Sequence, residues 1–245
     1  MKVSYIGHSG FLVETEKQLY LFDYYKGDIP ELALGKPLYV FVSHRHEDHF
    51  NPEIFRLVQR HPETRYVLAF DIRITPRNLQ KWGLDESWKE KILTVRSKNT
   101  YDLTEDCRVE TLRSTDEGVA FLVTEGEQTI FHAGDLNWWF WEGEDKSWLG
   151  TMEANFKREV ERIAGRRLDV GFLPLDDRLE KTFYKGMDWY LRKCKVKYAF
   201  PMHYWQDHSG IERFEQLDCR KDYDTVICDT VHEKNWELVF QGVCS

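Results

Sequence analysis

The chain has 245 residues and a formal net charge of -8 at pH 7, with 34 Lys and Arg against 42 Asp and Glu. This acidic balance disfavours nucleic acid and anionic membrane surfaces as partners. Hydrophobic residues make up 42% of the chain, and a chain of this length buries about three quarters of its unfolded surface on folding. We therefore expect one domain over residues 1–245. The absence of an export signal or a long apolar run in the sequence predicts a cytoplasmic protein.

The first half of the chain alternates β-rich runs with short helical segments. Strands are predicted at KVSYIG, GFLVETE, QLYLFD and LYVFVS, because glycines and polar turns separate these β-branched and aromatic runs. A helix is predicted at NPEIFRLVQRH, with Asn51 as N-cap and Pro52 in the first turn. RYVLAF and KILTV are predicted strands, with a short helix from Thr75 to about Gly83 between them.

The second half repeats this order. Strands are predicted at CRVETLRS, GVAFLVTEG and QTIFHAGD, and later at DVGFLPL and KYAFP. Two helices are predicted from apolar residues that recur every three to four positions. Their apolar faces are Met152, Phe156, Val160 and Ile163 in the first helix and Phe183, Met187, Tyr190 and Cys194 in the second. Strands then helices, twice over and without a linker, predict an α/β protein in which two packed sheets lie between helices, a four-layer αββα sandwich.

The stretch SHRHEDHF, residues 43–50, places three histidines and two acids directly after the apolar run LYVFV. His44 and His46 are two residues apart at the end of an extended segment, so their side chains project to the same side and can share one metal ion. Asp48 and His49 follow in the turn before the next helix and can face a second ion. Imidazole and carboxylate groups suit zinc, manganese, iron or nickel. The alternative is a solvated polar loop, which such a density of ionisable groups disfavours.

These residues carry a resemblance to a known family. The HxHxDH motif after an apolar strand, followed by HAGD at residues 132–135 and PMHYW at 201–205, resembles the metallo-β-lactamase superfamily of metal-dependent hydrolases. The early YIGHSGFLVE is similar to the start of its ascorbate-6-phosphate-lactonase-like members. The resemblance covers nearly the whole chain and implies an αββα sandwich of the metallo-β-lactamase type.

The resemblance also implies a set of site residues. The implied metal ligands are His44 and His46 for a first ion, Asp48, His49 and His203 for a second, and Asp135 as a bridge between them. Asp48 and Asp135 are the implied catalytic residues, which orient a water molecule and handle its proton. Asp23, at the end of QLYLFD, matches the first-strand aspartate that usually supports such a site.

One motif of the family is missing, because residues 62–131 contain no histidine. RSTDEGVAF, residues 113–121, stands in its place, and Asp116 is the candidate ligand there because a carboxylate binds the same ions. The alternative is that this turn is only structural. His8 and His132 are predicted to hydrogen-bond a ligand or the substrate, with a place in the pocket or among the ligands of a rearranged first site as the alternative. His61, His208 and His232 are predicted at the surface, with the edge of the pocket as the alternative for His208.

Aromatic residues crowd the segment NWWFWEGEDKSW, residues 137–148. Such a segment is consistent with a lid that grips an apolar substrate, with a subunit contact in a homo-oligomer, or with plain core packing. The sequence leaves these three interpretations open.

The predicted function is a metal-dependent hydrolase in which a metal-activated water or hydroxide cleaves a small-molecule ester, lactone, amide or phosphoester. One or two divalent ions are expected, zinc first, with manganese, iron or nickel as alternatives. The main alternative is a metal-binding sensor or interaction protein that lost its chemistry together with the missing histidine. A diiron oxidoreductase is a third interpretation, which His46 and the short chain disfavour.

Overall fold

The computed structural model describes residues 1–205 and 208–240, and within them the chain forms two seven-stranded sheets. The first half of the chain supplies most of the first sheet. Its strands are β1 (Lys2–Gly7), β2 (Gly10–Glu14), β3 (Leu19–Phe22), β4 (Leu38–Val42), β5 (Thr64–Ala69) and β6 (Ile92–Val95). β1 to β3 are antiparallel, whereas β3 to β6 are parallel.

The second sheet follows the same plan. Its strands are β7 (Thr100–Thr104), β8 (Cys107–Arg113), β9 (Val119–Glu125), β10 (Gln128–His132), β11 (Arg167–Pro174), β12 (Lys195–Met202) and β13 (Val226–Ile227). β7 to β10 are antiparallel and β10 to β13 are parallel. A last short strand, β14 (Asn235–Glu237), returns to the first sheet and pairs with β1.

Helices cover the outer faces of both sheets. They are α1 (Leu57–Arg60), α2 (Pro76–Lys81), α3 (Lys146–Glu161), α4 (Lys185–Lys193) and α5 (Gly210–Glu215), with 3₁₀ turns at Pro52–Arg56, Glu86–Lys91, Asp177–Thr182 and Asp218–Asp222. Asn51 and Thr75 cap as predicted, since each side chain accepts a hydrogen bond from a backbone N–H of the first turn. The predicted helix after Asn51 begins instead as a 3₁₀ turn and is α-helical only over its last four residues. No helix among the described residues has the length and apolar character needed to cross a membrane.

The core lies between the two sheets. Phe11 of β2 stacks on Phe172 of β11 with ring centroids 4.2 Å apart, and Phe41 of β4 meets Phe121 of β9 at 5.1 Å. All four side chains are fully buried. A separate apolar cluster packs the first helices under the first sheet, and α3 and α4 bury their apolar faces against the second sheet. The predicted four-layer αββα sandwich is confirmed.

This topology determines where polar loops emerge. Parallel strands of one sheet end at the same edge, so the segments after β3 and β4 lie side by side, as do those after β10, β11 and β12. Ligand sites of α/β proteins form beyond the carboxyl ends of such strands. The histidines and aspartates singled out in the sequence leave the sheets at this rim.

Candidate metal centre

Asp23 organises the segment that follows β4. It directly follows β3 and is fully buried. Its Oδ1 accepts a hydrogen bond from the Ser43 backbone N–H at 2.7 Å, and its Oδ2 accepts from Ser43 Oγ at 2.6 Å and from His49 Nδ1 at 2.7 Å. Burial alone would raise the pKa of this carboxyl, but His132 and His49 hold the pKa below its ordinary value. An ionised carboxylate only accepts hydrogen bonds, so His49 carries a proton on Nδ1, and Nε2 is the atom left to face a metal ion.

His8, Asp48, His49 and His203 form one group of candidate ligands, here called group 2. Their ligand atoms all lie within 4.8 Å of one another. Each imidazole is fixed through its Nδ1, as ligating histidines usually are. These contacts are His8 Nδ1 with the Tyr204 carbonyl oxygen at 2.9 Å, His203 Nδ1 with Asp176 Oδ2 at 3.0 Å, and His49 Nδ1 with Asp23.

The inward-facing atoms of group 2 are unsatisfied. The Nε2 atoms of His8, His49 and His203 and the Oδ1 atom of Asp135 are buried and make no hydrogen bond with any residue that the structure describes. Nearly all buried polar atoms in proteins have a partner, and convergent exceptions need an explanation. The donor set of three imidazoles and two carboxylates, Asp48 and Asp135, fits a divalent metal ion.

His44, His46, Asp116 and Asp135 form a second cluster, here called group 1, whose ligand atoms also lie within 4.8 Å of one another. His46 Nδ1 lies 3.6 Å from Asp116 Oδ2, and both side chains are half exposed. His44 is buried, and burial lowers its pKa to about 4, so the imidazole is neutral and able to ligate. Its Nδ1 lies 3.0 Å from Ser43 Oγ. Because that hydroxyl already donates to Asp23, it accepts from Nδ1–H, so His44 Nε2 carries no proton and lies 3.0 Å from His46 Nδ1.

Asp135 stands between the two groups. Its Oδ1 lies 3.2 Å from His49 Nε2 and 3.3 Å from His203 Nε2, whereas its Oδ2 lies 3.5 Å from His44 Nε2. Burial would raise the pKa of this carboxyl, but the histidines around it hold the pKa well below its ordinary value. Burial would likewise lower the pKa of His203, yet Asp135 and Asp176 raise it to about 9. The buried carboxylates thus favour positive charge at this position.

Backbone conformation at the rim is unusual. His8, Asp23 and His203 have φ values of 52°, 38° and 71°, in the left-handed region that residues other than glycine rarely adopt. Strain of this kind costs about 1–3 kcal/mol per residue and concentrates at functional sites. Gly118, with φ of 70°, lets the Asp116 turn approach β4: a Cβ there would lie 1.9 Å from the Ser43 carbonyl oxygen.

The other histidines have different environments. His132 is buried; its Nε2 donates to the Ser9 carbonyl oxygen at 2.9 Å and its Nδ1 accepts from the Gly134 N–H at 3.1 Å, so neither nitrogen is available to an ion. His208 and His232 are exposed, as predicted. The prediction for His61 is wrong, because the chain folds back after α1 and leaves this side chain 5% exposed.

A cavity of about 460 Å³ opens over both groups. Trp139, Trp141, Trp148 and Met152 line it together with Arg178, Trp205 and several candidate ligands. Trp139 is largely buried; its Nε1 donates to the Asp135 carbonyl oxygen at 3.1 Å and its ring lies 5.5 Å from that of His203. Trp138 points away from the cavity and packs near Phe156 of α3. The aromatic segment is therefore divided between the cavity wall and the core.

Sequence reasoning missed two residues of the site and gave a third a different preferred place. The preferred prediction for His8 was a supporting role behind the ligands, but its Nε2 enters group 2 at 3.3 Å from Asp48 Oδ2. Asp176 and Arg178, at the end of β11, carried no motif. The only sequence signal was their position directly after an apolar strand, LPLDDR, at the rim where the other candidates emerge.

Comparisons with known proteins found a matching family model and relatives similar in sequence. The model of the β-lactamase superfamily domain matches residues 2–140, more than half of the chain. A UPF0173 metal-dependent hydrolase from Nanoarchaeum equitans is 27% identical over 214 residues, which cover 83% of this chain and 84% of that protein.

Solved structures show the same fold. Igni18, a metallo hydrolase from Ignicoccus hospitalis, superposes with a TM-score of 0.64 at 14% identity over 97% of this chain and 99% of that one. CmlA, a diiron β-hydroxylase from Streptomyces venezuelae, superposes with a TM-score of 0.59 at 12% identity over 92% of this chain and 52% of that one. At these identities the likeness concerns the fold alone.

Proposed function

The chain belongs to the metallo-β-lactamase superfamily, and from this premise we propose that, as a metal-dependent hydrolase, it cleaves an ester, lactone, amide or phosphoester bond of a small molecule. One observation carries the proposal. Four buried polar atoms, Nε2 of His8, His49 and His203 and Oδ1 of Asp135, converge without a hydrogen-bond partner among the described residues. The narrower resemblance to ascorbate-6-phosphate lactonases stays a prediction.

We propose that the two groups hold two ions. The proposed ligands are His8, Asp48, His49 and His203 for one ion, His44, His46 and Asp116 for the other, and Asp135 for both. Three imidazoles in group 2 suit zinc. Group 1 contains the additional carboxylate of Asp116. Carboxylate oxygens are hard ligands, so group 1 also suits manganese or iron.

Divalent ions bound there would lower the pKa of water and polarise the bond under attack. Asp48 is the residue proposed to receive the water proton. Its side chain is 19% exposed and its Oδ2 lies 3.3 Å from His8 Nε2. Burial would raise the pKa of this carboxyl, but the neighbouring imidazoles of His8 and His49 hold the pKa far below its ordinary value. The carboxylate is thus ionised at neutral pH, as a proton acceptor must be.

Asp135 has the complementary role in this proposal. It is buried to 4% exposure and its two oxygens face different groups, so it would offer one oxygen to an ion held by either group. The indole of Trp139 covers the same residue from the cavity side. A rigid carboxylate under an apolar cover is suited to hold a nucleophile in one orientation.

Metal analysis paired with a substrate panel tests the proposal. Protein purified without added metal should contain up to two divalent ions per chain and turn over at least one of a lactone, a phosphodiester and a thioester. His49→Ala should lower the metal content and abolish that turnover. His61→Ala is the matched control, because His61 is also buried but lies outside both groups. Equal metal content in wild type and His49→Ala would contradict the proposed ligands.

A further inference from the structure

Arg178 is the only arginine or lysine among the described residues that line the cavity over the two groups. We propose that its guanidinium binds an anionic group of the substrate, so that the substrate is a small organic acid with an apolar body. Because this cavity is that of the proposed hydrolase, the role of Arg178 rests on the proposed function and deepens it.

The guanidinium is held in a fixed orientation. Arg178 Nε donates to Asp176 Oδ1 at 2.9 Å and to Oδ2 at 3.0 Å, and Nη2 donates to the same carboxylate. The guanidinium carbon lies 5.5 Å from the ring centroid of Trp141 and 5.1 Å from that of Trp205. One edge is therefore fixed by a carboxylate and the plane by two indoles, which leaves little conformational entropy to lose on binding.

The remaining edge of Arg178 is open. Nη1 makes no hydrogen bond with any residue in the described part of the chain, and the side chain is 45% exposed. A role restricted to holding Asp176 against His203 uses Nε and Nη2 and gives no reason for Nη1 to lack a protein partner in a side chain that lines the cavity. A charged donor that is oriented and exposed is the group that proteins use for carboxylates and phosphates.

The rest of the cavity indicates the body of the ligand. Trp139, Trp141, Trp148 and Met152 form an apolar wall, and a cavity of about 460 Å³ falls within the usual range of small-molecule sites. Carboxylates also line the cavity, but those within groups 1 and 2 would be neutralised by bound divalent ions. Arg178 then supplies the positive charge that an acidic substituent would meet beside an alkyl or aryl body.

A matched pair of ligands separates charge from shape. 2-Naphthoate and 2-naphthamide differ in charge but hardly in size, and tryptophan fluorescence reports their binding to the zinc-loaded protein because indoles line the cavity. Wild type should bind the acid at least about tenfold more tightly than the amide, as expected for a hydrogen bond to a charged group. Arg178→Gln should remove this preference while leaving zinc content and amide affinity unchanged.

Two further variants complete the experiment. Arg178→Lys keeps the positive charge but lacks the planar guanidinium that donates two parallel hydrogen bonds. This variant should retain part of the preference for the acid over the amide. Arg213→Gln is the control, because Arg213 also pairs with an aspartate, Asp177 at 2.7 Å, and lies 4.1 Å from the ring of Phe183, but it does not line the cavity. This control should keep the full preference.

Three results would overturn the role of Arg178. An unchanged preference in Arg178→Gln would mean that the acid binds the ions instead. Loss of zinc or of amide binding in both Arg178 variants would make the arginine a positioning residue for Asp176. Equal binding of both ligands by wild type would exclude an acidic substrate.

Hydrolysis of neutral esters, measured in parallel, separates this role from the proposed function. A protein that hydrolyses neutral esters but shows no preference for the acid would contradict the role of Arg178 alone. A protein that binds the acid through Arg178 but hydrolyses nothing would contradict the proposed function alone.

Discussion

Replacing Asp23 by asparagine should disable both groups of candidate ligands without unfolding the protein. Asparagine has nearly the same shape, and its oxygen can still accept from the Ser43 N–H. Its amide nitrogen, however, is a donor that would face Ser43 Oγ and His49 Nδ1, both of which donate to Asp23 in the native protein. The His49 proton would then move to Nε2 and block the atom that faces group 2.

The Asp23→Asn substitution also alters the tautomer of His44, because Ser43 contacts both residues. If Ser43 Oγ accepts from the introduced amide, it donates to His44 Nδ1, and His44 would carry its proton on Nε2. Restoring each ligating tautomer would leave a buried donor facing another donor, which costs about 1–3 kcal/mol. Each ion should therefore bind roughly ten- to a hundredfold more weakly, the range typical for residues that orient metal ligands.

A zinc titration followed by calorimetry measures the affinity for zinc. Thermal unfolding of the metal-free protein measures the stability of the fold. Asp169→Asn is the matched control: Asp169 is also fully buried and accepts from the Thr129 N–H at 2.9 Å and from Arg167 Nε at 2.8 Å, but it is remote from both groups. It should lose stability without losing zinc affinity. If Asp23→Asn binds zinc as tightly as Asp169→Asn does, the tautomer reasoning is refuted.

Three more outcomes are expected. Asp116→Ala should deplete one ion of a pair and suppress turnover, measured by elemental analysis and assay; a metal-bound structure with its carboxylate well beyond roughly 2.0–2.6 Å from the ion would refute this. His8→Ala should weaken the other ion by at least about tenfold in a zinc titration, and unchanged affinity would remove His8 from the ligands. Gly118→Ala should lower the melting temperature far more than Gly126→Ala, because both have positive φ values but only at Gly118 would a Cβ meet backbone, at 1.9 Å; equal shifts would refute the close approach to Ser43.

Much of the fold could be predicted because its signals are local. Apolar alternation in strands such as GVAFLVTEG and the caps at Asn51 and Thr75 involve residues near one another in the chain. β7, β13 and β14 were not predicted, because they are short or polar edge strands. Their pairing depends on a neighbouring strand rather than on their own sequence pattern. The 3₁₀ geometry after Asn51 likewise left no periodic signal, since such turns span only a few residues.

The candidate site, too, could be predicted only where its residues are close together in the sequence. The HxHxDH stretch is compact in sequence, so its density of ligands could be recognised directly. His8 reaches group 2 only because its turn packs against the end of β12, where the His203 N–H donates to the His8 carbonyl oxygen at 3.2 Å. Arg178 owes its orientation to Trp141 and Trp205, which are distant in sequence. Contacts of this kind follow from tertiary packing and leave no pattern in the chain.

Each group of candidate ligands draws on both sheets, which has a consequence for biosynthesis. Group 1 needs Asp116 and Asp135 from the second sheet, and group 2 needs His203, which follows β12. During translation the HxHxDH segment therefore leaves the ribosome long before either group can be complete. A nascent chain should therefore hold metal at group 2 only weakly until β12 has docked, and an ion bound there would in turn strengthen the docking of the two sheets by mass action.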